Sequence, residues 1–388
     1  MDRPHRLGEP VGHAPWTWHV SGGRPHSDPE RPGLHRQPSA MSQLLMVQAR
    51  TIKKFLVFLV VLCLLAAGLA PVVAQDVRFF RIGTGGTGGT YFPVGSLIAS
   101  VISRPPGSRD CDVGGSCGVP GLIAAAVSTQ GSVENARAVA EGTLDMALCQ
   151  ADVTYYAYYG KNVFADEPPM NGLRAVANLY PELVHLVVRP DAEIHSVADL
   201  RGKRVSLGEE ASGTRVVARA ILKGYGLDEN DVDADYNTLG KASDRFLAKD
   251  LDAFFMVGGY PLSAIADAAE ARDIALVPIS GDEAKRILKE HLFFTAAVIP
   301  ADSYSGVQET QTISVGAQLI VSTELSDSLV YQITQALWHP TNRALLDSGH
   351  PDGARIRLEA AVEGMAIPLH AGAAKYYDEI GLVAEDGF

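Results

Sequence analysis

Residues 82–92 run Ile82-Gly83-Thr84-Gly85-Gly86-Thr87-Gly88-Gly89-Thr90-Tyr91-Phe92, between an apolar run, Val77–Ile82, and a helix-like pattern, Val94–Val101. A strand therefore meets a helix N-terminus through a turn made of glycine and threonine. Such a turn exposes backbone N–H groups at the positive end of a helix dipole, and glycine lets a ligand approach the backbone. This junction limits the chain to an α/β plan and makes the loop a ready site for an anion or a carboxylate. Gly83–Gly88 also fits the dinucleotide pattern G-x-G-x-x-G, but that reading needs a second strand ending in an acidic residue about 20 positions on. Arg104-Pro105-Pro106-Gly107 and Cys111–Cys117 occupy that region and read as loop. A phosphate loop needs a closing Gly-Lys-Ser/Thr, which is missing. The remaining reading is a small-ligand loop in a binding protein.

Export is the next constraint. Residues 1–40 are rich in Pro, Gly, His and Arg without periodicity, and read as a disordered or untranslated leader. Residues 41–74 read as a signal peptide: Arg50, Lys53 and Lys54, then the apolar stretch Phe55–Leu69, then Val72-Val73-Ala74 before Gln75. A membrane anchor wants about 20 apolar residues. Cleavage after Ala74 would release residues 75–388, with 25 Lys and Arg against 41 Asp and Glu, a formal charge of −16. So acidic a chain does not suit nucleic acid or an anionic membrane. Any anionic solute would have to be held by local donors. The length suits two lobes. Of the four cysteines, Cys63 lies in the signal peptide, Cys111 and Cys117 favour a small disulfide after export, and Cys149 reads as a buried apolar residue. No His or Cys spacing indicates a metal, and no cofactor is expected.

The chain echoes itself. Gly131–Gln150 and Gly240–Gly259 each read as a glycine turn, an amphipathic helix, a Leu-Asp pair and an apolar strand. Ser132 and Ser243 stand near the helix starts. The opening strand–loop–helix is matched by Arg204–Gly208, the loop Glu209–Thr214 and a helix from Arg215 to Gly224. Two α/β units of one plan would face each other across a cleft at the carboxyl ends of their strands, where open α/β sheets bind ligands. Two apolar segments, Val184–Arg189 and Phe293–Pro300, could cross between lobes and act as a hinge.

With these residues in place the chain resembles the TAXI-family solute receptors of TRAP (tripartite ATP-independent periplasmic) transporters. The motifs are Gly83–Pro93, Ser128–Asn135, Gln150–Val153, Tyr180–His185, Ser196–Val205, Leu251–Phe255, Ile299–Ala301 and Ile367–Tyr377. The resemblance spans the whole exported portion. It implies a two-lobe periplasmic binding protein, type II-like, with two crossover hinge strands and a ligand cleft between lobes. It also implies capture of a small organic solute, with glutamate or a related carboxylate the familiar case, and delivery to an ion-gradient-driven permease. Lobe 1 is expected over 75–187, lobe 2 over 188–298, and a return to lobe 1 over 299–388.

The candidate ligand-binding residues in lobe 1 are Thr87, Gly88, Gly89, Tyr91, Phe92, Ser132, Asn135 and Gln150, with Phe92 standing where a second tyrosine is common. In lobe 2 they are Ser212, Gly213, Thr214 and Arg215, the last as a bidentate clamp for a carboxylate. Gly258, Gly259 and Tyr260 complete the set at the end of an apolar strand. Glu182 and His185 are placed at the hinge, His185 as a packed residue. Thr87→Ala or Thr214→Ala is expected to weaken binding far more than Lys161→Ala. The rival classes are a ligand sensor for a membrane receptor and an enzyme on the same fold. For the enzyme, no nucleophile elbow, metal-spaced histidine cluster or activated cysteine is found.

Overall fold

The computed structural model describes residues 40–67 and 77–382. The leader 1–39 and the cleavage position after Ala74 lie outside the described residues. Two compact units separate at Val73/Ala74. In the first, a helix spans Ala40–Ala67 and holds Phe55–Val61 exposed. No helix among the described residues is long and apolar enough to cross a membrane.

The second unit is mixed α/β. Its strands are β1 (Arg78–Gly83), β2 (Ser103–Arg104), β3 (Val119–Pro120), β4 (Leu122–Val127), β5 (Met146–Gln150), β6 (Leu173–Val188), β7 (Arg204–Ser206), β8 (Asp233–Asp235), β9 (Ala253–Gly258), β10 (Ala275–Leu276), β11 (Phe294–Ile299) and β12 (Thr310–Ser322). Ten of them form one sheet along the path β4-β1-β5-β12-β6-β9-β7-β8, with β10 on β6 and β11 on β12. The internal echo is visible in this order. β1 lies between β4 and β5, and β7 between β8 and β9, all parallel. Each triplet meets the centre of the sheet through its third strand, β5 on β12 and β9 on β6.

The centre consists of the two longest strands. β6 pairs with β12 over Leu173–Leu183 and with β9 over Leu183–Val188. β12 pairs with β5 over Ala317–Val321 and with β11 over Thr310–Val315. Both strands thus run through both halves, giving a two-lobe molecule with two crossover strands. The first crossing contains Val184–Val188 as expected. The second is β12, not Phe293–Pro300. That segment forms β11, which pairs only with the first half of β12, because β5 takes the same edge of β12 farther along.

Helices cover both faces. Ser132–Ala140, Ala151–Tyr159, Gly213–Gly224 and Gly281–Glu290 pack over one apolar cluster that spans both lobes. On the opposite face, Tyr91–Ile102, Asp327–Leu337 and Ala371–Glu379 cover lobe 1, while Leu239–Leu247 and Ser263–Ala271 cover lobe 2. The parallel connections require this arrangement, since each crossover lays a helix on the sheet. Cys111 and Cys117 form a disulfide in the loop between β2 and β3.

Candidate ligand-binding cleft

Five helices begin where strands of the two triplets end, with Thr90, Gly131, Gln150, Ser212 and Thr238 at their N-caps. Ser212 and Thr238 cap in the usual way, their side chains accepting from Arg215 N–H and Lys241 N–H. The N-caps of both lobes surround a cavity of about 60 Å³. It is lined by Gly85, Gly86 and Thr90 of the first loop, by Glu182 of the crossing strand, and by residues of the Gly208–Thr214 loop.

Seven of the residues expected from sequence line this cavity: Gly89, Tyr91, Ser132, Gln150, Ser212, Gly213 and Thr214. They converge closely. A methyl group placed on Gly213 would collide with Gln150 Oε1 and come within 2.9 Å of Ser132 Oγ, so only glycine permits this approach between lobes. Among the described residues, the N–H groups of Gly213 and Thr214 have no protein partner. Ser132 Oγ accepts from Gln150 N–H (3.1 Å), which leaves its own proton free to donate. Gln150 Oε1 and Asn237 Nδ2 are buried without a partner, an expensive state unless a ligand or water completes them.

The other expected residues are held elsewhere, each for a local reason. Thr87 is exposed at the loop tip, and Gly88 and Phe92 do not line the cavity. Thr90 takes the inward place: its Oγ accepts from Gly259 N–H across the lobes (3.0 Å). Asn135 is fully buried beneath the cavity. Its amide donates to Thr84 O (2.6 Å) and Leu148 O (2.8 Å) and accepts from Thr129 Oγ (2.8 Å), joining the ends of β1 and β5. Arg215 is not a clamp in the cleft, since its guanidinium pairs with Glu229 (2.8 Å) and stacks on Tyr236. Gly258 ends β9 beside Thr90 and Leu262, while Gly259 and Tyr260 are drawn to the C-terminal segment. Arg355 donates to Tyr260 O (2.8 Å) and lies 3.9 Å over its ring, and Asp352 packs against Gly259 too closely for any side chain. From lobe 2 the cavity takes Asn237, Leu239, Ala242 and Phe255–Val257, which sequence reasoning missed.

Three further hydrogen bonds join the lobes. Val133 N–H and Glu134 N–H donate to Ala211 O (3.1 and 3.2 Å), and Ala211 N–H donates to Gln130 Oε1 (3.2 Å). The Ser132–Ala140 helix is therefore capped by a carbonyl of the opposite lobe, and the lobes are closed on each other.

Glu182 dominates the electrostatics. It is 2% exposed and accepts from Tyr91 OH at 2.6 Å. Burial raises its pKa well above the carboxylate range; the Tyr91 bond opposes this, and Asp352 and Asp152 add to the rise. Burial likewise pushes Asp152 up to about 7, and Glu209, at the cavity edge, up to about 7 with Glu134 contributing. His185 is a packed residue: fully buried, it bonds Leu183 O (3.0 Å) and Tyr304 OH (2.9 Å), and burial lowers it to about 4, so it is neutral.

The sequence pattern of the NMT1-like family matches residues 82–381. Among solved structures, the alkanesulfonate-binding protein SsuA from Xanthomonas axonopodis pv. citri, bound to MOPS, is similar at 14% identity, over 80% of this chain and 81% of that one, with a TM-score of 0.40. PhnD1 from Prochlorococcus marinus (MIT 9301), in complex with methylphosphonate, is similar at 9% identity, over 79% and 99%, with a TM-score of 0.47.

Proposed function

The chain belongs to the NMT1-like family, and on that footing we propose that it is an extracytoplasmic solute-binding protein. It captures a small carboxylate-bearing solute, glutamate or a related amino or organic acid, by lobe closure. It then delivers the solute to a membrane permease of the ion-gradient-driven TRAP type. The observation that carries the reading is the closed cavity at the strand ends of both lobes, where the Gly213 and Thr214 N–H groups, Ser132 Oγ and the unpartnered Gln150 and Asn237 amides converge. The signal-like segment before Gln75 and the motifs shared with TAXI receptors support export and the permease partner.

Magnitudes agree with such a site. A micromolar solute needs about −8 kcal/mol. Helix termini supply about 0.3–2 kcal/mol each, so several convergent charge-assisted hydrogen bonds at about 1.5–3 kcal/mol must supply the rest. The test is a thermal-shift panel of amino acids, dicarboxylates, keto acids and sugars, with mass spectrometry of the denatured protein to find a co-purified solute. A carboxylate that raises the melting temperature in proportion to ln(1 + [L]/Kd) supports the reading. No shift from any member, with no small molecule released on denaturation, would end it.

A further inference from the structure

Among the described residues, the ionisable side chains lining the cavity are Tyr91, Glu182 and Glu209, with no Lys, Arg or His. The arginine that the sequence pattern offers to the cleft, Arg215, is engaged by Glu229 and Tyr236. Arg355, behind Tyr260, is engaged by Asp352. Both carboxylates lack a cation. One oxygen of Glu182 accepts from Tyr91 OH, and the other takes no hydrogen bond among the described residues. The Glu209 carboxylate has neither an ion pair nor a hydrogen bond there, and its Oε2 faces Gly86 of the opposite lobe. Two carboxyl groups without a cation partner, one from the crossing strand and one from lobe 2, thus line a space whose other wall is helix N-termini.

The second observation is independent of charge. Gln150 is 2% exposed and Asn237 4%, both line the cavity, and each leaves a polar atom without a partner: an acceptor on Gln150, a donor on Asn237. An occupant that satisfies them must both donate and accept. A plain dicarboxylate at neutral pH only accepts, so it would leave the Gln150 acceptor and the second Glu182 oxygen unfilled.

We propose that the cleft selects a solute carrying a cationic nitrogen as well as an acidic group, with Glu182 and Glu209 receiving the nitrogen while the Gly213–Thr214 and Ser132 donors receive the acid. This rests on the solute-binding reading and narrows it to the zwitterionic class. Glu182 and Glu209 are its specificity determinants. One comes from a crossing strand and the other from a lobe 2 loop, so the nitrogen is gripped only when the lobes close.

The experiment compares each amino acid with the same skeleton lacking its amino group, by calorimetry on purified protein: L-glutamate against glutarate, L-aspartate against succinate. The amino member is expected to bind about 10- to 100-fold more tightly, the scale of a charge-assisted hydrogen bond. Glu182→Gln and Glu209→Gln should each shrink that ratio. The second variant, at a half-buried position, covers the case in which the first does not fold. Equal affinity within each pair overturns the inference and leaves the solute-binding reading standing. If no pair binds, a solute released on denaturation decides by its composition: a basic nitrogen supports the inference, its absence overturns it. No binding and no released solute overturns both.

Discussion

Single positions decide whether the lobes can meet. Gly213 approaches Gln150 and Ser132 with no space for a methyl group, yet it lies at a helix start where alanine is otherwise acceptable. Gly213→Ala is therefore expected to weaken solute binding about 10-fold or more, the cost of overpacking a closed contact. The melting temperature without solute should stay nearly unchanged, because an opened cleft relieves the clash. Calorimetry and a thermal melt of the same sample separate the two effects. The threonines of the first loop show where sequence reading runs out. Thr84, Thr87 and Thr90 are equivalent in a run of Gly and Thr, but Thr84 is buried on Val127 O, Thr87 is exposed, and Thr90 bridges the lobes. Their roles depend on partners 43 and 169 positions away. Thr90, not Thr87, is thus the position where removing the hydroxyl should matter, together with Thr214, which lines the cavity.

Among elements, the strand–loop–helix units were legible because strand, turn and helix are local, and two copies of one pattern disclosed the two-lobe plan. The second crossing strand was not, since β11 and β12 are both apolar and the choice between them is made by pairing with β5. The C-terminal segment gave no motif for its contact with Gly259 and Tyr260, yet it supplies one. Arg355 donates to Tyr260 O and covers its ring, Asp352 packs on Gly259, and Thr90 accepts from Gly259 N–H. Of these residues only Thr90 lines the cavity, and the contacts close the same gap from its edge. Arg355→Ala should raise the solute's dissociation rate about 10-fold, from the loss of a cation–π contact and a charged hydrogen bond, with little change in association rate. Stopped-flow dissociation checks this, and an unchanged rate would remove the segment from closure.

For the whole molecule, the buried carboxylates set the response to pH. Burial holds Asp152 at about 7, against an unfolded value of about 4. Between those values the folded state binds one more proton than the unfolded state, so stability falls as pH rises from about 4 to 7 and levels off above. The span corresponds to something on the order of 4 kcal/mol, with Glu182 and Glu209 acting in the same direction. Asp252 acts oppositely. Arg204, with Arg189, holds it at about 2, so its contribution is lost as pH falls from about 4 toward 2. The melting temperature should therefore be higher at pH 5 than at pH 8, and Asp152→Asn should flatten that slope. A melting series across pH shows whether it does. The paired central strands carry a consequence for the chain's synthesis. β5 must wait for β12, which begins at Thr310, before it has a neighbour on its inner edge. β6, made earlier, holds both lobes only once β12 lies beside it. Neither lobe can complete its sheet while β12 is unmade, and such distant pairings form slowly. If the chain is exported as proposed, it would thus stay short of its folded sheet, and so threadable, until β12 has been made.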